Sequence, residues 1–228
     1  MTTSEIPTEP PDVDAAPATR RELAVARALD SARSRAENRV ELFLDAAREL
    51  MNTNATDFTV QEVVERSGQS LRTFYQYFAG KYELLLALFD ESIEGAAARL
   101  DEVVATRDDP LDRLHIFCAE YYRMCRASAP GEPPSGPAPA LVEFAQQLLT
   151  SHPKEAAHSF APLVELFGRL LEEAEAAGAV RPGLDRRRIT GVVLQATMFN
   201  AFAATISASP VGTGDEVLWD LLVQGITP

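Results

Sequence analysis

TVQEVVERSGQSLRTFYQYFAGK, residues 59–81, decides how the rest of the chain is read. Thr59 followed three residues later by Glu62 is a capping box, so the spacing predicts a short helix starting here. Val60, Val63 and Val64 give that helix one apolar face, and Ser67-Gly68 ends it because Gly accepts a left-handed backbone at little steric cost. Ser70 caps a second helix, in which Leu71, Phe74, Tyr75 and Phe78 recur at i, i+3, i+4 and i+7. Two short helices joined by a tight Gly turn make a helix-turn-helix.

The other face of the second helix offers hydrogen-bonding groups. Gln69, Ser70, Arg72, Thr73 and Gln76 supply donors and acceptors, and the Arg72 fork suits guanine or a phosphate. Residues near the start of a recognition helix meet base edges, which places Gln69 to Thr73 ahead of Gln76.

SGQSLRTFYQYFAGKYELL, read with Val63 and Val64 before it, resembles the DNA-binding signature of the TetR family of bacterial transcriptional regulators. Gly68 in the turn, Ser70, Thr73, Tyr75, Phe78, Lys81 and Leu84 carry the likeness. Two positions depart from it: Gln69 stands where the family often has Val, and Tyr77 where it often has His. The resemblance implies an all-α fold, with an N-terminal three-helix DNA-binding domain and a C-terminal helical domain for ligand binding and dimerisation. It implies a homodimer that binds double-stranded palindromic operator DNA, acts as a repressor and is released by a hydrophobic small molecule. Thr59, Gln69, Ser70, Arg72, Thr73, Tyr75, Gln76, Tyr77 and Lys81 are then the DNA-contacting candidates.

Composition bounds the alternatives. No continuous apolar run is long enough to cross a bilayer, and the opening MTTSEIPTEPPDVDAAP has acids, no base and no apolar h-region. A cytoplasmic protein without membrane partners is expected, with Cys118 and Cys125 as reduced structural thiols. The net charge of −13 looks wrong for a DNA binder, but it is unevenly spread. Residues 1–19 hold four acids and no base, residues 20–39 hold six Arg against three acids, and residues 40–81 hold four bases against six acids. Most of the acid therefore lies beyond residue 81, and DNA affinity is expected to rest on a few positioned contacts and on dimerisation.

Three regions follow from the chain taken in order. Residues 1–18 read as a disordered, acidic, Pro-rich tail, and residues 19–81 as the DNA-binding domain with an Arg-rich extension. Residues 82–228 read as the ligand-binding and dimerisation domain. Thr19 with Glu22 and Ser34 with Glu37 each mark a helix start, the second opening a longer helix through Val40, Phe43, Leu44, Ala47, Leu50 and Met51. Arg20, Arg21, Arg27, Arg33, Arg35 and Arg39 form either a solvated helical face or an arm for phosphates. Lys81 opens a long helix whose first turn can hold a DNA phosphate. APGEPPSGPAP is a loop, Pro162 is expected to kink or split a helix, and the last two helices run from about Asp185 to Ala208 and from Asp215 to Gly225.

Aromatic and sulfur side chains accumulate after residue 82. Phe89, Phe117, Cys118, Tyr121, Tyr122 and Phe144 are candidates for an apolar ligand pocket, with Phe167, Gln195, Met198, Phe199 and Phe202. At helical spacing such residues equally make ordinary core. Val192, Ala196, Phe199, Ala203, Leu218, Trp219 and Leu222 are the candidate dimer face. There is no Walker loop, G-x-S-x-G, H-E-x-x-H or dinucleotide fingerprint, which argues against an enzyme and against a cofactor. His115 and Cys118 lack a third ligand at useful spacing, so no metal is expected. The competing function is a ligand-binding dimer whose head engages a protein instead of DNA.

Overall fold

A computed structural model describes residues 19–54, 57–126, 139–206 and 215–227, and among these every regular element is an α-helix. The helices are α1 (Arg20–Asn54), α2 (Val60–Ser67), α3 (Leu71–Tyr77), α4 (Lys81–Val104) and α5 (Pro110–Cys125). They continue with α6 (Pro139–Ser151), α7 (Pro153–Ser159), α8 (Ala161–Ala176), α9 (Arg186–Ile206) and α10 (Asp215–Ile226). The acidic N-terminal tail, the Pro- and Gly-rich connector up to residue 138 and the expected end of α9 at Ala208 lie outside the described residues.

The start signal at Thr19 is used: Thr19 N–H donates to Glu22 Oε2 at 2.7 Å, and Glu22 N–H donates to Thr19 Oγ1 at 3.3 Å. The second start signal, at Ser34, is not. The helix runs unbroken through it for 35 residues, and an Arg33–Glu37 ion pair at 2.7 Å spans the position. Neither Gly nor Pro interrupts residues 20–54, and an exposed Ser inside a helix costs only a few tenths of a kcal/mol of propensity, ~0.5. The chain divides after Leu42 into two compact units, so the Arg-rich segment and everything from Phe43 onward are separate bodies.

In the second unit Phe43 of α1 is fully buried and meets Phe74 edge-on at 5.4 Å and Phe78 at 6.2 Å. These rings fix α3 by its apolar face. α4 packs against α5, α6, α7 and α8, and α5 in turn packs against α8, α9 and α10. Phe117 and Phe167 have no exposed surface and their ring centroids lie 4.9 Å apart, and Leu114, Leu163 and Leu170 of the same helices are buried as well. Ion pairs tie the same helices at the surface, Arg169 with Asp101 at 2.8 Å and Arg113 with Glu173. Pro162 falls in the first turn of α8, where its missing N–H is harmless, and the expected break between α7 and α8 is there.

Candidate nucleic-acid interface and helical cavities

The turn between α2 and α3 is built as its residues dictate. Thr59 N–H donates to Glu62 Oε2 at 2.6 Å and Glu62 N–H donates to Thr59 Oγ1 at 3.2 Å, closing the capping box. Because the Glu62 carboxylate accepts the Thr59 backbone N–H and then its hydroxyl, its pKa lies below the usual carboxylate range. Gly68 sits at φ 66, ψ 17, and its N–H reaches the Glu65 and Val64 carbonyls. Ser70 Oγ then accepts from Thr73 N–H at 3.0 Å and lies 2.7 Å from Thr73 Oγ1. α3 starts from that cap with Phe74 buried beneath it.

What remains outward is the face a groove would meet. Ser70, Arg72, Tyr75 and Gln76 are exposed, and Gln69, Thr73 and Tyr77 are half-buried beside them. The Ser70 and Thr73 hydroxyls bond each other and the cap, so Gln69, Arg72 and Gln76 are the side chains of this face best placed to bond a base. Thr59 is exposed, with its hydroxyl on Glu62. Tyr75 is 56% exposed and rests its ring on Phe74 at 5.4 Å. Lys81, in the first turn of α4, lies over the Phe58 ring at 4.6 Å, a contact that sequence spacing does not reveal. Of the other cations here, Arg66 binds Glu49 at 2.9 Å, and Arg48 binds both Asp45 and Glu91 at 2.5 Å.

Two neighbouring apolar cavities open among the later helices. The inner one, about 60 Å³, is walled by Phe89 and Ile93 of α4, Tyr121 and Met124 of α5, Leu163 of α8 and Met198 of α9. The outer one, about 510 Å³, shares Tyr121, Phe160 and Met198 with it, and Gln195, Arg187 and Glu165 also line it. Phe89, Tyr121, Gln195 and Met198 thus border these spaces. Phe117 and Phe167 are core, Tyr122 is buried, and Phe144 packs on Phe89 at 6.0 Å and on Tyr82 at 5.7 Å. Phe160 and Met124, part of the same accumulation of aromatic and sulfur side chains, also line the inner cavity, as does Leu163, which the pattern does not single out. Burial pushes the Cys118 and Cys125 thiols up to about 12, so both stay protonated near neutrality. Among the described residues no group of three His, Cys, Asp or Glu is placed to hold a metal ion, and no helix is long and apolar enough to cross a membrane.

Residues 43–88, which span the α2–α3 turn and its packing partners, match the model for bacterial regulatory proteins of the tetR family. That segment is similar to the DNA-binding domain of TetR-family regulators. Solved structures share the fold at low sequence identity. The regulator FadR from Bacillus subtilis, in complex with stearoyl-CoA, is 18% identical with a TM-score of 0.62, over 82% of this chain and 98% of that one. RolR in complex with resorcinol is 18% identical with a TM-score of 0.63, over 85% and 89%. Reduced NemR from E. coli is 16% identical with a TM-score of 0.61, over 84% and 98%.

The last two helices leave an apolar face uncovered. Val192 is 65% exposed, Phe199 62% and Leu221 66%, in a chain whose other large apolar side chains are mostly buried. Between α5, α9 and α10 lies a groove of about 400 Å³ bordered by Cys118, Val192, Ala196, Leu218, Trp219 and Leu222. Trp219 stacks on His115 at 4.8 Å. Val192, Ala196, Leu218, Trp219 and Leu222 are thereby brought to one surface, with Phe199 exposed on α9. The side chains of Phe202 and Ala203 lie outside the described residues.

Proposed function

We propose that this protein is a cytoplasmic, non-enzymatic repressor that binds a palindromic operator as a homodimer and is released by a hydrophobic small molecule. The observation that carries the reading is the outward face of α3. Arg72 and Gln76 are presented there on a short helix anchored by its Ser70 cap and the buried Phe74, with Gln69 just ahead of the cap. Residues 43–81 are the reading head, and the α9–α10 face with Val192, Phe199 and Leu221 is where the second copy sits. Two-fold pairing would set two heads against half-sites about 34 Å apart.

The effector space is the pair of cavities that meet at Tyr121, Phe160 and Met198. Ligand complexes of fold relatives, one with stearoyl-CoA and one with resorcinol, support an apolar or aromatic occupant here. α4 links the two activities. Its first turn carries Lys81 beside α3, Glu91 on it holds Arg48 of α1, and Phe89 and Ile93 line the inner cavity. A ligand that moves α4 by an angstrom or two changes how the heads are presented. Switching a population from 1:99 to 99:1 needs a preference of about 5.5 kcal/mol for the released state.

Selecting duplexes from a random-sequence library with the purified protein tests this. An inverted repeat should be enriched, and a panel of apolar compounds should include some that release the protein from it. Enrichment of no sequence would sink the regulatory reading.

A further inference from the structure

The charge of the reading head does not account for DNA binding on its own. Residues 43–81 hold four bases against five acids, and two of those bases, Arg48 and Arg66, are held by Glu91 and Glu49. A head of net −1 on a chain of net −13 does not attract a polyanion at a distance. The segment just before it has the opposite sign. Residues 20–39 carry six Arg against three carboxylates, a net +3 in an acidic chain.

The structure gives that stretch a form. It is helix, capped at Thr19, and Arg20, Arg21, Arg27, Arg33, Arg35 and Arg39 are all exposed. Of these, Arg33 is engaged by Glu37. Twenty helical residues extend about 30 Å, nearly one turn of duplex. The apolar side chains of the segment are mostly alanines, with Leu23, Val25 and Leu29 the larger exposed ones. A helix that lies in a lipid interface buries more and larger apolar groups than these, so the arginines are the more informative feature.

We infer that the helix Arg20–Arg39 is a second DNA-binding element, which neutralises backbone phosphates of the duplex without reading sequence. This rests on the DNA-binding reading of the head. The helix supplies the non-specific attraction, and α3 the discrimination.

The test is a full-length variant with Arg20→Gln, Arg21→Gln, Arg27→Gln and Arg35→Gln together, which keeps good helix formers and leaves the Arg33–Glu37 pair. Affinity is measured over a salt series for the library-selected duplex and for a shuffled duplex of equal length. The salt slope should become shallower by about 0.9 for each phosphate that the helix no longer neutralises, with both duplexes weakened alike. Circular dichroism and sedimentation should match wild type. An unchanged slope in a variant that still binds overturns the inference alone. Altered oligomeric state, or loss of capture by vesicles of anionic lipid, with the slope intact would also overturn it, assigning the helix to a second copy or to a membrane. Wild-type protein that binds neither duplex overturns both this and the DNA-binding reading.

Discussion

Arg72 and Lys81 sit close in sequence but in different surroundings, and they should behave differently. Arg72 projects from the exposed face of α3, where a planar fork can meet a guanine edge. Lys81 is half-buried over Phe58 at the start of the next helix, where a compact ammonium suits a phosphate. Arg72→Ala should therefore cost about 1–3 kcal/mol and relax specificity at one position of the operator, while Lys81→Ala should weaken all duplexes alike and lower the salt slope by about one. Binding to a set of single-base operator variants distinguishes the two, and identical profiles would contradict both roles. The residue types of this face were legible in the sequence from their spacing. What was not legible is that Ser70 and Thr73 bond each other, because a cap and a base contact call on the same hydroxyl groups.

At the scale of elements, the α2–α3 unit depends on two local devices with separate signatures. Gly68 has φ 66, and a Cβ built there meets no atom within 4 Å. Gly68→Ala should thus cost only the backbone penalty of a left-handed residue, about 1–2 kcal/mol in a denaturation experiment. A much larger loss would mean that the turn is packed in a way the structure does not show. Glu62 tests the other device. Its folded-state pKa is lowered by the Thr59 N–H and hydroxyl, so its contribution is present above the ordinary glutamate value and is lost as pH falls through the lowered one. Carboxyl NMR should place the Glu62 titration below that of a free glutamate, and Glu62→Gln should remove the matching acid-side loss of stability. A Glu62 that titrates at or above the ordinary value would contradict the capping box. Both devices could be read from Thr59, Glu62 and Gly68 alone. The fate of Ser34 could not, since a start signal ends nothing upstream of it; only a breaker does, and Ser31-Ala32-Arg33 contains none.

Across the whole molecule, most of the described helices followed from apolar periodicity, with Pro110 and Pro153 marking helix starts, while the single α1 and the split at Pro162 needed the structure. The cavities did not follow from periodicity. Aromatic residues recur at the same intervals whether they fill a core, as Phe117 and Phe167 do, or border a space, as Phe89 and Phe160 do, because position along a helix does not set how closely the facing helices approach. The α9–α10 face is the opposite case, with Val192 and Leu221 exposed where the proposed second copy would cover them. Val192→Glu combined with Leu221→Glu should leave the helical content unchanged, separate the copies, and lower operator affinity by about two to four orders of magnitude as bivalent attachment is lost. A variant that still sediments as a dimer would place the interface elsewhere.

Sedimentation of the wild-type protein on its selected duplex tests the central claim, that two copies present two α3 helices to one DNA molecule. Two protomers should co-sediment with each duplex carrying both half-sites, and removing one half-site should abolish tight binding. A single protomer per duplex, or affinity indifferent to the second half-site, would contradict it.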